Sequence, residues 1–164
     1  MELQSALESR RSVRRFLDEP VPRTDLEQMV KAASWAPTGC NRQMWKFIIL
    51  DKSDDIHWFG QFSGMGWVAK APALVLFVLD PETEYWREDG SAAVQNFMLA
   101  ARALGYGTCW VQGQIVPHEA AIKKQFVIPP TWRVLAVVPV GKPEKWPDPP
   151  VKKSLSDVMS YERF

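Results

Sequence analysis

The sequence predicts one layered domain in which strands and helices alternate along the chain. Three observations carry this expectation. Ala73–Leu79 is a continuous apolar run with the length of a buried strand. DGSAAVQNFMLAARAL at 89–104 spaces its apolar residues as a helix buried on most sides would. The chain has 164 residues, 46% of them hydrophobic and 24% charged, enough for a single core and too apolar for a disordered chain.

Taken in order, Leu3, Ala6 and Leu7 share one face of a short helix over about 2–9. Two prolines in DEPVP at 18–22 break the regularity. Thr24 is expected to cap a helix over 25–35, with Glu27 completing a capping box and Leu26, Met29, Val30 and Ala33 turned inward. Ala36-Pro37 ends that helix, because proline biases its predecessor away from helical geometry. WKFIIL at 45–50 reads as a strand, and a short helix follows near 55–62. After the buried strand at 73–79 and the helix at 89–104, Gly105 closes the helix as a left-handed cap. TCWVQG at 108–113 is a strand, Pro117–Phe126 a helix and Arg133–Val140 a strand. Residues 142–164 form a C-terminal arm, stiffened at KPEKWPDPP. These residues alone leave parallel and antiparallel pairing open.

The chain carries 20 Lys+Arg against 19 Asp+Glu, a formal charge of +1, which argues against a general nucleic-acid or anionic-membrane surface. The apolar runs are too short to cross a bilayer, and MELQSALESRR lacks the apolar core of a signal peptide. Cys40 and Cys109 stand far apart without partner motifs, which suits a reducing, cytoplasmic setting and excludes a cysteine-based zinc site. No metal is expected.

RRSVRRF at 10–16 concentrates four arginines in a chain that would be net −3 without them (1 − 4). Arginine forks bind phosphate bidentately, and Ser12 adds a hydroxyl. In an extended segment Arg10, Ser12 and Arg14 face one side, while Arg11 and Arg15 face the other; in a helix Arg10 and Arg14 share a face. Both geometries bring Arg10 and Arg14 together. The competing reading is a solvated helix end whose arginines complement the helix dipole. In APTGCNRQMWKF at 36–47, Pro37 and Gly39 are expected to set unusual dihedrals, and Thr38, Asn41 and Gln43 offer donors and acceptors. An ordinary helix-to-strand connection is the competing reading. GYGTCWVQG at 105–113 does not fit the dinucleotide spacing. His57 and His118, the two histidines, both read as exposed. No nucleophile elbow, zinc helix or phosphate loop is present, so any redox or transfer chemistry would come from a cofactor.

Four stretches, in order, resemble the FMN-dependent nitroreductase family. They are RRSVRRF at 10–16, APTGCNRQMWKFII at 36–49, DGSAAVQNFMLAARALGYGTCWVQG at 89–113, and VVPVGKP at 137–143 followed by VKKSLSDV at 151–158. Met44 stands where that family's motif has proline, Lys152 where it has arginine, and Pro150 where a further basic residue is common. The resemblance implies an α+β fold with a central, mostly antiparallel sheet flanked by helices, in an intertwined homodimer with FMN at the interface. It implies that Arg10, Arg11, Ser12 and Arg14 hold the phosphate, ribityl chain and pyrimidine edge, and that Lys152 adds a cation. Pro37, Thr38, Gly39 and Asn41 would come from the partner subunit, supported by Gln43, and Gln112 and Gly113 would lie by flavin N5. No catalytic side chain is implied, because the flavin carries hydride between NADH or NADPH and an oxidised acceptor such as a nitroaromatic or quinone. The chain is short for the family, so Trp58, Phe59, Phe62 and Trp67 are candidates for a partial lid as well as for the core. Dehalogenation or oxygenation on the same scaffold, a flavin-binding protein without turnover, and a nucleic-acid module built on RRSVRR are the rival readings.

Overall fold

The computed structural model describes residues 1–82 and 84–164. Its centre is the strand β2 (Ala73–Leu79), all seven residues of which are buried. β2 pairs antiparallel with β1 (Trp45–Leu50) on one side and with β4 (Arg133–Gly141) on the other. A two-residue strand, β3 (Gly107–Thr108), pairs antiparallel with β4 and completes the order β1-β2-β4-β3. The pairing left open by residue pattern is therefore antiparallel throughout.

The alternation of β2 divides the apolar residues into two layers. Ala73, Val75, Phe77 and Leu79 face α2 (Arg23–Ser34) and α4 (Trp86–Ala103). Leu74, Leu76 and Val78 face the opposite layer, built from α3 (Ser53–His57), α5 (Glu119–Gln125) and the turns around them. The register shifts between Phe77 and Val78, whose partners are Ala136 and Val134, leaving Leu135 as the extra residue of a bulge. Leu135 thereby joins Ala136 in the α4 layer. Its Cδ2 lies 2.5 Å from where a Cβ on Gly90 would stand, and the Leu79 methyls lie at 2.8 and 2.9 Å. Only glycine lets α4 come this close.

Several boundaries differ from the expected ones. α1 (Leu3–Ser9) buries only Ala6, leaving Leu3 and Leu7 exposed. α2 begins two residues early: Pro22 occupies the cap position, Thr24 lies inside the first turn, and no side chain caps the helix. Leu26, Met29 and Ala33 are buried as expected, while Val30 is only half-buried against the same core. The predicted helix near 55–62 is α3 followed by a 3₁₀ turn at Trp58–Gln61. α4 starts at Trp86, three residues before Asp89, and closes at Gly105 with φ +84° as expected. TCWVQG is regular only at its start, with a further bridge from Val111 to Val137. Residues 116–126 split into a 3₁₀ turn and α5.

Phe59 is wholly buried, and Trp58 and Phe62 meet edge-to-face at 4.9 Å, so this aromatic group packs as core rather than as a lid. His118 is half-buried and stacks on Phe62 at 4.2 Å, against the exposed position expected of it.

Tyr106, just beyond the end of α4, ties the layer of α2 and α4 together. Its hydroxyl donates to Asp25 Oδ2 at 2.6 Å, and Lys142 Nζ lies 4.2 Å from its ring centre. Burial, and then the hydrogen bond to the Asp25 carboxylate, push its phenol up to about 12 from an ordinary 10.0. The folded state therefore favours the neutral phenol. That contribution is complete below pH 10 and is lost as pH rises toward about 12. Tyr106→Phe is expected to lower stability by about 1 kcal/mol at neutral pH. It is also expected to flatten the alkaline loss of stability, both measured by urea unfolding across pH.

Candidate functional site

Arg10 leaves α1 with extended dihedrals, φ −62° and ψ 133°, and the next residues run alongside β3. Ser12 bridges Thr108 in parallel fashion, and Val13 N–H donates to Thr108 O at 2.8 Å. Val13 is buried over Gly107, where a Cβ would approach Val13 Cγ2 to 2.6 Å. With Val13 pinned inward, the strand period turns Arg10, Ser12 and Arg14 the other way. Their convergence is visible at the buried Cys109 thiol. Burial pushes that thiol up, while the Arg14 charge, a hydrogen bond from Ser12 and the Arg10 charge pull the other way. The Arg10 and Arg14 charges and the Ser12 hydroxyl thus all act on one atom just beyond β3.

Arg11 has a different place. Its Nη1 donates to Glu8 O at 2.7 Å and to Arg10 O at 2.8 Å, so it closes the end of α1, and its buried Nε meets no partner. This is the helix-end role weighed for the cluster as a whole, taken up by one member. Arg14 and Arg15 line a cavity of about 620 Å³ together with Phe16, Trp67, Lys70 and Glu144. The Arg14 guanidinium lies 5.8 Å from the Trp67 ring centre. Lys70 was not signalled by any motif. It precedes β2 in ordinary sequence, and only the tertiary structure sets it beside Arg14.

The loop after α2 is held from elsewhere. Gly39 does not adopt the unusual dihedral expected of it; Cys40, Asn41 and Gln43 do, with φ of 53°, 55° and 52°. Gly39 is instead needed for closeness, since a Cβ there would come within 3.0 Å of Tyr85 Cδ2. Its N–H donates to both oxygens of Asp89, at 3.1 and 3.3 Å. Inside the loop, Gln43 N–H donates to Thr38 Oγ1 at 3.2 Å and Gln43 Nε2 to Asn41 Oδ1 at 3.1 Å. Pro37 and Asn41 remain exposed.

The structure therefore brings together Arg10, Ser12 and Arg14, and separately gathers Thr38, Gly39, Asn41 and Gln43. The first group stands beside β3, beyond the C-terminal end of α4, and the second at the N-terminal end of α4. Gln112 and Gly113 follow Val111 on the strand run that carries Cys109, and both are exposed. A Cβ on Gly113 would meet nothing within 4 Å, so packing within the subunit gives no reason for glycine there. Lys152 lies on the exposed arm and makes no ion pair with any described residue. Among the described residues, no group of His, Cys, Asp and Glu could hold a metal, and no helix is long and apolar enough to cross a membrane.

Comparison with known proteins places this geometry in context. A family model described as the nitroreductase family matches residues 7–62 and 59–142. A protein of Archaeoglobus fulgidus, provisionally named NADH dehydrogenase/NAD(P)H nitroreductase, is 33% identical over 150 residues, covering 83% of this chain and 82% of its own. A crystal structure of a provisionally named nitroreductase from Desulfovibrio desulfuricans in complex with FMN superposes with a TM-score of 0.86. It is 27% identical and covers 100% of this chain and 98% of its own. A provisionally named NADH dehydrogenase/NAD(P)H nitroreductase of Parabacteroides distasonis has the same fold, with a TM-score of 0.90 at 24% identity and 98% of both chains covered. The strapped arginine segment, the clamped loop and the antiparallel sheet between them thus lie within a match that spans most of the molecule, and the chain belongs to the nitroreductase family.

Proposed function

We propose that this protein is an FMN-dependent oxidoreductase that uses NADH or NADPH to reduce a small oxidised acceptor of the nitroaromatic or quinone type. The observation that carries the reading is the extended segment after α1, where Val13 docked over Gly107 turns Arg10, Ser12 and Arg14 to the other side together. Two guanidinium forks and a hydroxyl match a single phosphate dianion better than a long polyanion, since the rest of the chain is net acidic. The residues present also fit the remainder of the cofactor. Trp67 and Phe16 offer apolar walls beside Arg14, and Lys70 offers a cation to a polar ring edge. The space over Gly113 admits a close approach to its backbone. Bound FMN would accept hydride from the nicotinamide and pass it to the acceptor in two alternating half-reactions. The chain itself supplies binding, orientation and charge, and no acid or base of its own is assigned.

The site is completed by a second copy in this reading. One subunit holds Arg10, Ser12 and Arg14 at one end of α4 and Thr38, Gly39 and Asn41 at the other, so the loop would serve the flavin of its partner. Two apolar surfaces suit such an assembly. Leu3, Trp35, Leu99 and Ala103 line an open groove between α1, α2 and α4. The end of the arm exposes Val151, Leu155, Val158 and Met159, while its start packs on its own subunit through Trp146. Among the described residues β1 pairs only with β2, and beside it Phe47, Val127 and Trp132 line a second groove that the arm of a partner would fill. Lys152 would arrive at the phosphate with that arm.

The purified protein, reconstituted with FMN, is expected to show bound-flavin absorbance that bleaches on anaerobic addition of NADH or NADPH and returns with a quinone. A chain that takes up no FMN overturns the reading, and bands that persist with both nicotinamides indicate binding without turnover. Arg10→Ala combined with Arg14→Ala is expected to weaken FMN affinity at least about 100-fold while leaving the dimer intact on size exclusion. Deleting residues 150–164 is expected to shift the protein toward monomer at micromolar concentration, measured by analytical ultracentrifugation.

A further inference from the structure

The Asp89 carboxylate has no role in the flavin contacts proposed above, yet its surroundings are unusual for an acid. It is only 9% exposed and forms no salt bridge among the described residues. Its one side-chain hydrogen-bond donor among them is the Gly39 N–H, shared between both oxygens at 3.1 and 3.3 Å. Removing an ionised carboxylate from water costs free energy unless something replaces its hydration. Here the replacements are one backbone amide and a place in the first turn of α4, where the helix dipole favours negative charge.

The position of this carboxylate is also closely determined. Asp89 adjoins Gly90, the residue whose missing side chain lets α4 rest on Leu79 and Leu135. Tyr85, four residues earlier and so on the same face of the helix start, packs against Gly39 from a second direction. Gly39 is thus met by a ring and a carboxylate from the start of α4, the helix that Gly90 seats on the sheet. The loop it anchors needs such a grip. Cys40, Asn41 and Gln43 all occupy the left-handed region without being glycine, a conformation that costs free energy at each. Without an external hold, the backbone would relax and move Thr38 and Asn41.

We propose that Asp89 is a positioning residue for the flavin site: through the Gly39 amide it holds residues 37–43 in the conformation that presents Thr38 and Asn41 to the cofactor of a second copy. This rests on the flavin reading given above.

The test compares Asp89→Ala and Asp89→Asn with the wild-type chain, and uses Tyr106→Phe as a destabilising control remote from the loop. Amide hydrogen exchange of Gly39 is read in the FMN-free protein, FMN affinity by flavin fluorescence, and stability by urea unfolding. Asp89→Ala is expected to exchange Gly39 at least ten-fold faster and to bind FMN at least ten-fold more weakly. Asp89→Asn keeps an acceptor oxygen at the same reach and is expected to restore both within about three-fold. Tyr106→Phe is expected to lose stability with no change in FMN affinity. Unchanged Gly39 exchange in Asp89→Ala overturns the proposal, as does faster exchange with unchanged FMN affinity. An affinity that merely tracks stability across all three variants, with no rescue by Asn, reduces Asp89 to a structural role and also overturns it. If the wild-type chain takes up no FMN, the flavin reading falls and this proposal with it; if wild type and Asp89→Ala bind FMN equally, this proposal falls alone.

Discussion

The close contact of Gly90 with Leu79 and Leu135 is the constraint on which the rest of this structure hangs. A helix resting on a sheet normally stands off by the length of its side chains. Here one position without a side chain, opposite a bulge that pushes Leu135 outward, lets α4 settle directly onto β2 and β4. The 18 residues of α4 then act as a rod of roughly 27 Å whose height over the sheet is set at one end. Gly105 terminates the rod and turns the chain at once into β3, against which the arginine segment is strapped. Asp89 starts it and reaches the loop after α2. Both halves of the candidate site thus take their coordinates from the same seated helix.

This arrangement explains how a nearly neutral chain can present a concentrated cationic site. The four arginines do not share one task. Arg11 closes the end of α1, while Arg10 and Arg14 both act on the Cys109 thiol alongside Ser12, and Arg14 also lies near Trp67. What separates these fates is the single buried residue Val13, because its docking over Gly107 decides which neighbours face outward. Binding of one small anion needs only this local sorting, and the bulk of the surface stays balanced in charge.

Much of the architecture was legible from residue pattern. Ala73–Leu79 announced the central strand by its unbroken apolar character, and Leu26, Met29 and Ala33 marked the inner face of α2. Gly105 marked the end of α4. The convergence of Arg10 and Arg14 followed from spacing alone, whichever local geometry the segment took. Other features were invisible for physical reasons. Thr24 looked like a cap because its composition suited one, but the helix begins at Arg23 with Pro22 in the cap position and no side chain capping it. Gly39 was expected to adopt an unusual dihedral; it is glycine because Tyr85 stands against it, a contact between segments more than forty residues apart. Lys70 and Asp89 carry no local pattern, since their importance lies wholly in what tertiary packing sets beside them. Leu3, Ala6 and Leu7 were placed on one helix face by period, but only Ala6 of that face is covered within one subunit.

The left-handed backbone at Cys40, Asn41 and Gln43 bears on how this chain could change over time. Glycine at any of these positions would relieve local strain and make the isolated subunit easier to fold. It would also remove a side chain from the loop that the start of α4 holds through Gly39. Selection for stability and selection for recognition therefore act in opposite directions on the same few backbone angles. Drift in this family should accordingly be slow in the loop's conformation, even where the residues that build it are exchanged.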